Sequence, residues 1–162
     1  MMASTHVTLG MGCWIGYAHL RGIPLQPIPM ILAGMGALLP DIDHPKSTFG
    51  RAVPFLSYPI SAIFGHRGIT HSFLAIAAAS AVLWLYGMQF WFVAPLAVGY
   101  VSHLLGDVLT NSGAPLLWPM KNKISLPIFN TGSWLESIFR LGLVLLTLWM
   151  LWRHAQWTFQ MV

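Results

Sequence analysis

From Phe73 to Leu105 the chain carries no Asp, Glu, Lys or Arg. A stretch this long and uncharged has to be buried in protein or in lipid. Gly87 and Pro95 divide it, which predicts two helices joined as a hairpin. Each arm falls slightly short of the roughly 20 residues that cross a bilayer. Three further apolar runs are present: Val7–Leu20, Ile28–Leu39 and Leu141–Trp152. The turn-rich "RGIPLQPIP" breaks the first from the second. Those two runs are also short, and suit tilted spans, a re-entrant hairpin or core helices dipping into one leaflet. The last reaches spanning length only with Ile138, Phe139 and the stem of Arg140.

Composition decides between burial in protein and burial in lipid. Charged residues make up 7% of the chain and hydrophobic residues 56%, whereas an ordinary soluble domain is about a quarter charged. A very apolar soluble α-domain fits this less well than a membrane protein. The expected fold is all-α: one domain over residues 1–162, a membrane-embedded bundle with short helical hairpins. Trp and Tyr gather near the ends of the apolar runs, as in interfacial belts.

The formal charge is +4, but the eight Lys and Arg are scattered, with no basic run. That pattern predicts no nucleic-acid partner. It suits topology signals and contact with anionic membrane lipid. A lone Cys13 rules out an internal disulfide and a cysteine-rich zinc site. "MMASTH" has neither the basic start nor the cleavage site of a signal peptide, so His6 is expected in the mature protein. Nothing in the sequence sets the oligomeric state.

If the first two runs form a hairpin, His6 and Asp41 return to one side. If Phe73–Leu105 does the same, His71 and the 103–107 segment share that side. It also holds two long polar loops, with Lys46, Arg51 and Arg67 in one and Lys121, Lys123 and Arg140 in the other. The positive-inside rule makes it cytoplasmic, with Arg21 the exception. The expected address is therefore the inner (plasma) membrane.

Only four carboxylates exist: Asp41, Asp43, Asp107 and Glu136. Two lie in "LPDIDHPKS" (39–47), beside His44. "GHRGITHS" (65–72) carries His66, Arg67 and His71. "HLLGDVLT" (103–110) carries His103 and Asp107 at i and i+4, one turn apart on a helix face. Such a pair can grip zinc or manganese. A helix is expected to begin near Gly68, with His71 in its first turn. Taken singly, each residue fits a structural role: His19, His44 and His154 as interfacial histidines, Asp41 as a helix cap. Jointly, three carboxylates in histidine-bearing motifs of an apolar chain need counter-charge. Only Lys46 and Arg67 lie within the motifs, which makes a divalent cation the economical partner.

These motifs, in this order and together with "GAPLLWP", resemble the YdjM-like family of inner-membrane metal-dependent hydrolases. The resemblance covers about Leu39 to Pro119, with His6 as an N-terminal outpost. That family is more remotely similar to the all-α zinc-dependent phospholipase C and P1 nuclease group. Carried over, the resemblance implies a metal held by Asp41 or Asp43, by His71, and by His103 with Asp107. It further implies that Asp107 bridges to a second ion taken by His6. The later histidines of that group and its histidine–glutamate pair have no match here; only Glu136 could stand in. One or two divalent ions are expected, zinc favoured.

The function implied is a membrane-bound metal-dependent hydrolase with its site at the cytoplasmic end. Asp41 or Asp43, whichever is not a ligand, would serve as general base. His66 and Arg67 would meet an anionic phosphoester such as a phospholipid head group. Two alternatives come from other classes. A non-catalytic membrane metalloprotein would show a closed four-ligand site. A small ion-handling transporter would hold His103 and Asp107 at mid-bilayer depth.

Overall fold

A computed structural model describes residues 1–120 and 122–160, the side chains of 157–160 excepted. Lys121, one of the basic loop residues, lies outside that set. Among the described residues the fold is all-helical. Seven α-helices follow one another: α1 (Ala3–Leu20), α2 (Pro27–Gly36), α3 (Thr48–Ala52), α4 (Pro54–Phe64), α5 (Phe73–Leu85), α6 (Phe90–Val108) and α7 (Trp134–Gln160). Two 3-10 turns, Leu39–Asp43 and Ile69–His71, sit between them.

The turn chemistry explains several boundaries. Pro27 opens α2 and Pro54 opens α4, where a missing N–H leaves no bond unmade. The Ser72 hydroxyl accepts from the Ala75 N–H at the start of α5. Gly87, at φ 76°, makes the turn between α5 and α6, a backbone region that favours glycine. Pro95 lies inside α6 and does not divide it. The expected helix start near Gly68 is also displaced: His71 sits in its own 3-10 turn, and α5 begins at Phe73. The 44–72 stretch, expected as a polar loop, contains α3 and α4, because Pro54 starts a helix and Pro59 is carried within it.

Helix α6 packs against both α1 and α2, and α1 also packs against α7. The contact between α2 and α6 is backbone on backbone. A Cβ on Gly99 would stand 1.9 Å from the Ala33 carbonyl oxygen, and one on Gly36 would stand 2.3 Å from that of Leu96. Small residues at such crossings let membrane helices approach closely. Trp14 and Ile15 of α1 are fully buried, as is Leu104 of α6, which packs with Tyr100, Val108, Ala114 and Leu116.

Helices α6 and α7 are long and apolar enough to cross a membrane. The two differ in surroundings: 56% of the α6 window is buried inside the protein, against 6% for α7. The core is thus built around α6, while α7 leans on α1 and turns its remaining surface outward. Trp84, Tyr86 and Trp91 are exposed around the α5–α6 turn, as in an aromatic belt. The far end of α6 carries His103 and Asp107, and the helix ends one residue later.

Candidate metal centre

The hairpins bring four chain segments to the C-terminal end of α6. His6 comes from the first turns of α1, Asp41 and Asp43 from the first 3-10 turn, His71 from the second, and His103 and Asp107 from α6. His6, Asp43, His71, His103 and Asp107 are buried, and Asp41 is partly so.

Four atoms define a ring. The Nε2 of His71 lies 3.7 Å from Asp41 Oδ1 and 3.6 Å from Asp107 Oδ2. The Nε2 of His103 lies 3.8 Å and 3.7 Å from the same two oxygens. These are too long for hydrogen bonds. Around one ion with bonds of about 2.1 Å, tetrahedral ligands stand about 3.4 Å apart; these four edges are slightly longer, and the ligand atoms of Asp41, His71 and His103 all lie within 4.8 Å of one another. Two of the ring's four atoms, His71 Nε2 and His103 Nε2, are buried with no hydrogen-bond partner, and Asp107 Oδ2 has only the Arg67 guanidinium. Buried polar atoms are rarely left so, and a divalent cation would satisfy both nitrogens at once. The residues present therefore fit the metal that the family resemblance implies.

Contacts behind the ring fix its members. His103 Nδ1 donates to the Ala37 carbonyl oxygen at 2.7 Å, which sets the tautomer and frees Nε2. His71 Nδ1 lies 3.3 Å from Asp43 Oδ2 and 3.1 Å from the Thr70 hydroxyl. Asp43 therefore stands behind His71, outside the ring. Its other partners are His66 Nδ1 at 3.0 Å, the Arg67 N–H at 2.9 Å and the Thr70 O–H. Tyr100 donates in turn to the Thr70 carbonyl oxygen. Thr70, Tyr100 and the Ala37 carbonyl were not singled out from the sequence as site groups. Of these, only Thr70 carries a sequence signal, its i, i+4 spacing from His66.

Asp107 presents its two oxygens to different partners. Oδ2 belongs to the ring and also meets Arg67 Nη2 at 3.0 Å. Oδ1 lies 3.4 Å from His6 Nε2 and 2.9 Å from the ammonium of Met1. The rings of His6 and His103 are stacked, with centroids 3.7 Å apart. A second ligand group, His6 with His103 and Asp107, thus adjoins the first.

Charge follows this layout. Burial alone would raise the Asp41 carboxyl, but the nearby imidazoles of His71, His103 and His6 hold it below the usual range. Asp43 is lowered further, against the same burial, by His66, His71 and Thr70. Burial would depress His71, yet Asp41 and Asp43 lift it to about 9. Without a metal, His71 keeps a proton between these carboxylates, one that a metal would displace.

Arg67 adopts φ 60°, a left-handed conformation costing a non-glycine residue about 1–2 kcal/mol. Its N–H on Asp43 and its guanidinium on the Gly113 carbonyl (2.8 Å) and Asp107 hold it there. His66 is 42% exposed at the mouth, against the ring of His44. Glu136 does not join the cluster. It accepts the N–H groups of Met2 and Gly132, both at 2.6 Å, and so ties the start of α1 to the start of α7. His19 and His154 pack together, ring centroids 5.7 Å apart. His19 lies thirteen residues along α1 from His6, about 20 Å at helical rise.

The family described as YdjM inner membrane protein matches residues 1–161. Inner membrane protein YdjM of Escherichia coli (strain K12) is 43% identical over 120 residues, covering 70% of this chain and 61% of that protein. The Shigella flexneri protein of the same name matches equally. The chain thus spans about three fifths of the length of these two relatives. YvsG of Bacillus subtilis (strain 168) is 36% identical over 147 residues, covering 90% of this chain and 91% of its own. No solved structure matches the chain.

Proposed function

The chain belongs to the YdjM inner membrane protein family, and on that premise we propose that it is a membrane-bound metal-dependent hydrolase acting on a phosphoester. The observation that carries this reading is the ring of Asp41, His71, His103 and Asp107, 3.6–3.8 Å from atom to atom along its edges, with the Nε2 atoms of His71 and His103 buried without hydrogen bonds. His6 with Asp107 Oδ1 offers a place for a second ion.

When bound, an ion of the zinc type lowers the pKa of a water from about 15.7 to about 7, supplying hydroxide near neutral pH. The chain's own residues supply the rest. Arg67, locked in its left-handed turn over Asp107, presents a planar fork suited to phosphate oxygens. His66, held through Nδ1 by Asp43, keeps Nε2 for an anionic ligand at the mouth. Asp43 acts through others, orienting His71 and His66 and fixing the Arg67 backbone. The site faces the cytoplasm, since Lys46, Arg51, Arg67, Lys123 and Arg140 accompany it, with Arg21 and Arg153 at the other end.

A second reading has an observation of its own. The ring supplies four protein atoms, the number that closes a structural zinc site, which favours a non-catalytic metalloprotein. Turnover separates the two. Detergent-purified protein loaded with zinc or manganese is assayed on a panel of phosphomonoesters and phosphodiesters, beside His103→Ala. Hydrolysis that needs metal and vanishes in the variant supports the hydrolase. Stoichiometric metal with no turnover across the panel leaves the structural reading.

A further inference from the structure

Two apolar segments that cannot span a membrane flank the site. Helix α4 packs on the turn that carries Asp41 and Asp43 and ends next to His66. The loop after α6 begins beyond Asp107. It accepts the Arg67 guanidinium at the Gly113 carbonyl and the Phe73 N–H at that of Leu116. Phe55, Tyr58 and Ile63 of α4, and Leu117, Leu126 and Ile128 of the loop, are 55–73% exposed. Large apolar side chains in such numbers on two neighbouring elements of the site are not normally left to water.

The depth of these segments is bounded from both sides. Helix α4 has 11 residues, about 16 Å at helical rise, against a hydrocarbon core of about 30 Å. Among its described residues the loop is irregular backbone beyond two isolated bridges, Thr110 with Phe129 and Ala114 with Ile124. Lipid-exposed irregular backbone stays out of the hydrocarbon core. Exposed Lys46, Arg51 and Lys123 border the two segments, which suits anionic head groups. Phe129 of the loop packs on Phe139 of α7, ring centroids 5.3 Å apart, and exposed Trp134, Leu135 and Ile138 carry the apolar surface of α7 up to the loop, so the occupant is the leaflet that α7 enters, at the boundary between head groups and acyl chains.

We infer that α4 and the loop after α6 form a collar embedded in the membrane interface, which seats the mouth of the site among lipid head groups, and that the phosphoester it takes is carried by a lipid. The collar stands on the exposed side chains alone; the lipid substrate rests on the hydrolase reading. The two are tested separately.

For the collar, Ile63→Cys and Leu126→Cys, each in a Cys13→Ala background, are labelled with a fluorophore and placed in phosphatidylethanolamine–phosphatidylglycerol nanodiscs. Quenching by nitroxide lipids labelled near the carbonyl, with protection from aqueous iodide, is expected at both positions. Iodide quenching without nitroxide quenching overturns the collar. For the substrate, metal-loaded protein and the Ile63→Glu/Leu126→Glu variant are compared on a phospholipid in vesicles and on water-soluble bis(p-nitrophenyl) phosphate. Charge at the collar should lower phospholipid turnover at least about tenfold, with turnover of the soluble ester within about twofold. An equal fall on both, or no fall on the phospholipid, overturns lipid delivery. Absence of turnover on either substrate by the unaltered protein overturns the lipid substrate together with the hydrolase reading, and the quenching result still decides the collar.

Discussion

The Nδ1 of His103 lies 2.7 Å from the carbonyl oxygen of Ala37. This bond joins the stretch of α6 that carries His103 and Asp107 to the end of α2, and it depends on how closely the two helices approach. The approach is set by Gly99, where a Cβ would meet the Ala33 oxygen at 1.9 Å.

Gly99→Ala should therefore push α2 from α6, release the His103 ring and weaken metal binding. Loss of an outer-shell partner typically lowers metal affinity 10–100-fold, and a fall of that size is expected from zinc titration of the purified variant. Membrane insertion should persist. Unchanged affinity would mean that the Ala37 bond does not orient His103.

Asp41 and Asp43 should behave differently when neutralised. Asp41→Asn removes a ring oxygen charge and should abolish stoichiometric metal. Asp43→Asn leaves the ring intact and should weaken binding about 10–100-fold. Equilibrium dialysis with zinc ranks the two, and the reverse ranking would exchange their roles.

The contrast between these aspartates marks where the sequence stopped being readable. Both lie in one short motif, and either could have been the ligand. The chain there forms a 3-10 turn of about three residues per turn, so positions two apart point in different directions. Asp41 reaches the ring and Asp43 reaches the back of His71. The pair His103 and Asp107 was readable because α6 is regular and i, i+4 fixes a shared face. The two hairpins followed from Arg21–Gln26 and from Gly87. Helix α4 was not readable, since Pro54 and Pro59 look like breakers until tertiary packing selects a helix that begins on one and absorbs the other. The Ala37 and Gly113 carbonyls leave no trace in side-chain identity.

Glu136→Ala should destabilise the fold and leave metal content unchanged. The side chain takes the N–H groups of Met2 and Gly132, and hydrogen bonds to a charged group contribute about 1.5–3 kcal/mol each. A lower thermal midpoint in detergent with full metal occupancy is expected. Loss of metal with an unchanged midpoint would make Glu136 a ligand after all.

The site-bearing end should face the cytoplasm. Cysteines replacing Lys46 and Asn122, in a Cys13→Ala background, should resist a membrane-impermeant maleimide in intact cells and react after lysis. Labelling of both in intact cells would reverse the orientation.

The central claim is that Asp41, His71, His103 and Asp107 hold a divalent ion between them. Elemental analysis of the detergent-purified protein, after zinc loading and desalting, tests it most directly beside His71→Ala and His103→Ala. The account predicts one or two ions per chain, with the ring ion lost from each variant while both remain inserted in the membrane. Substoichiometric metal in the unaltered protein, or full occupancy in both variants, would contradict it.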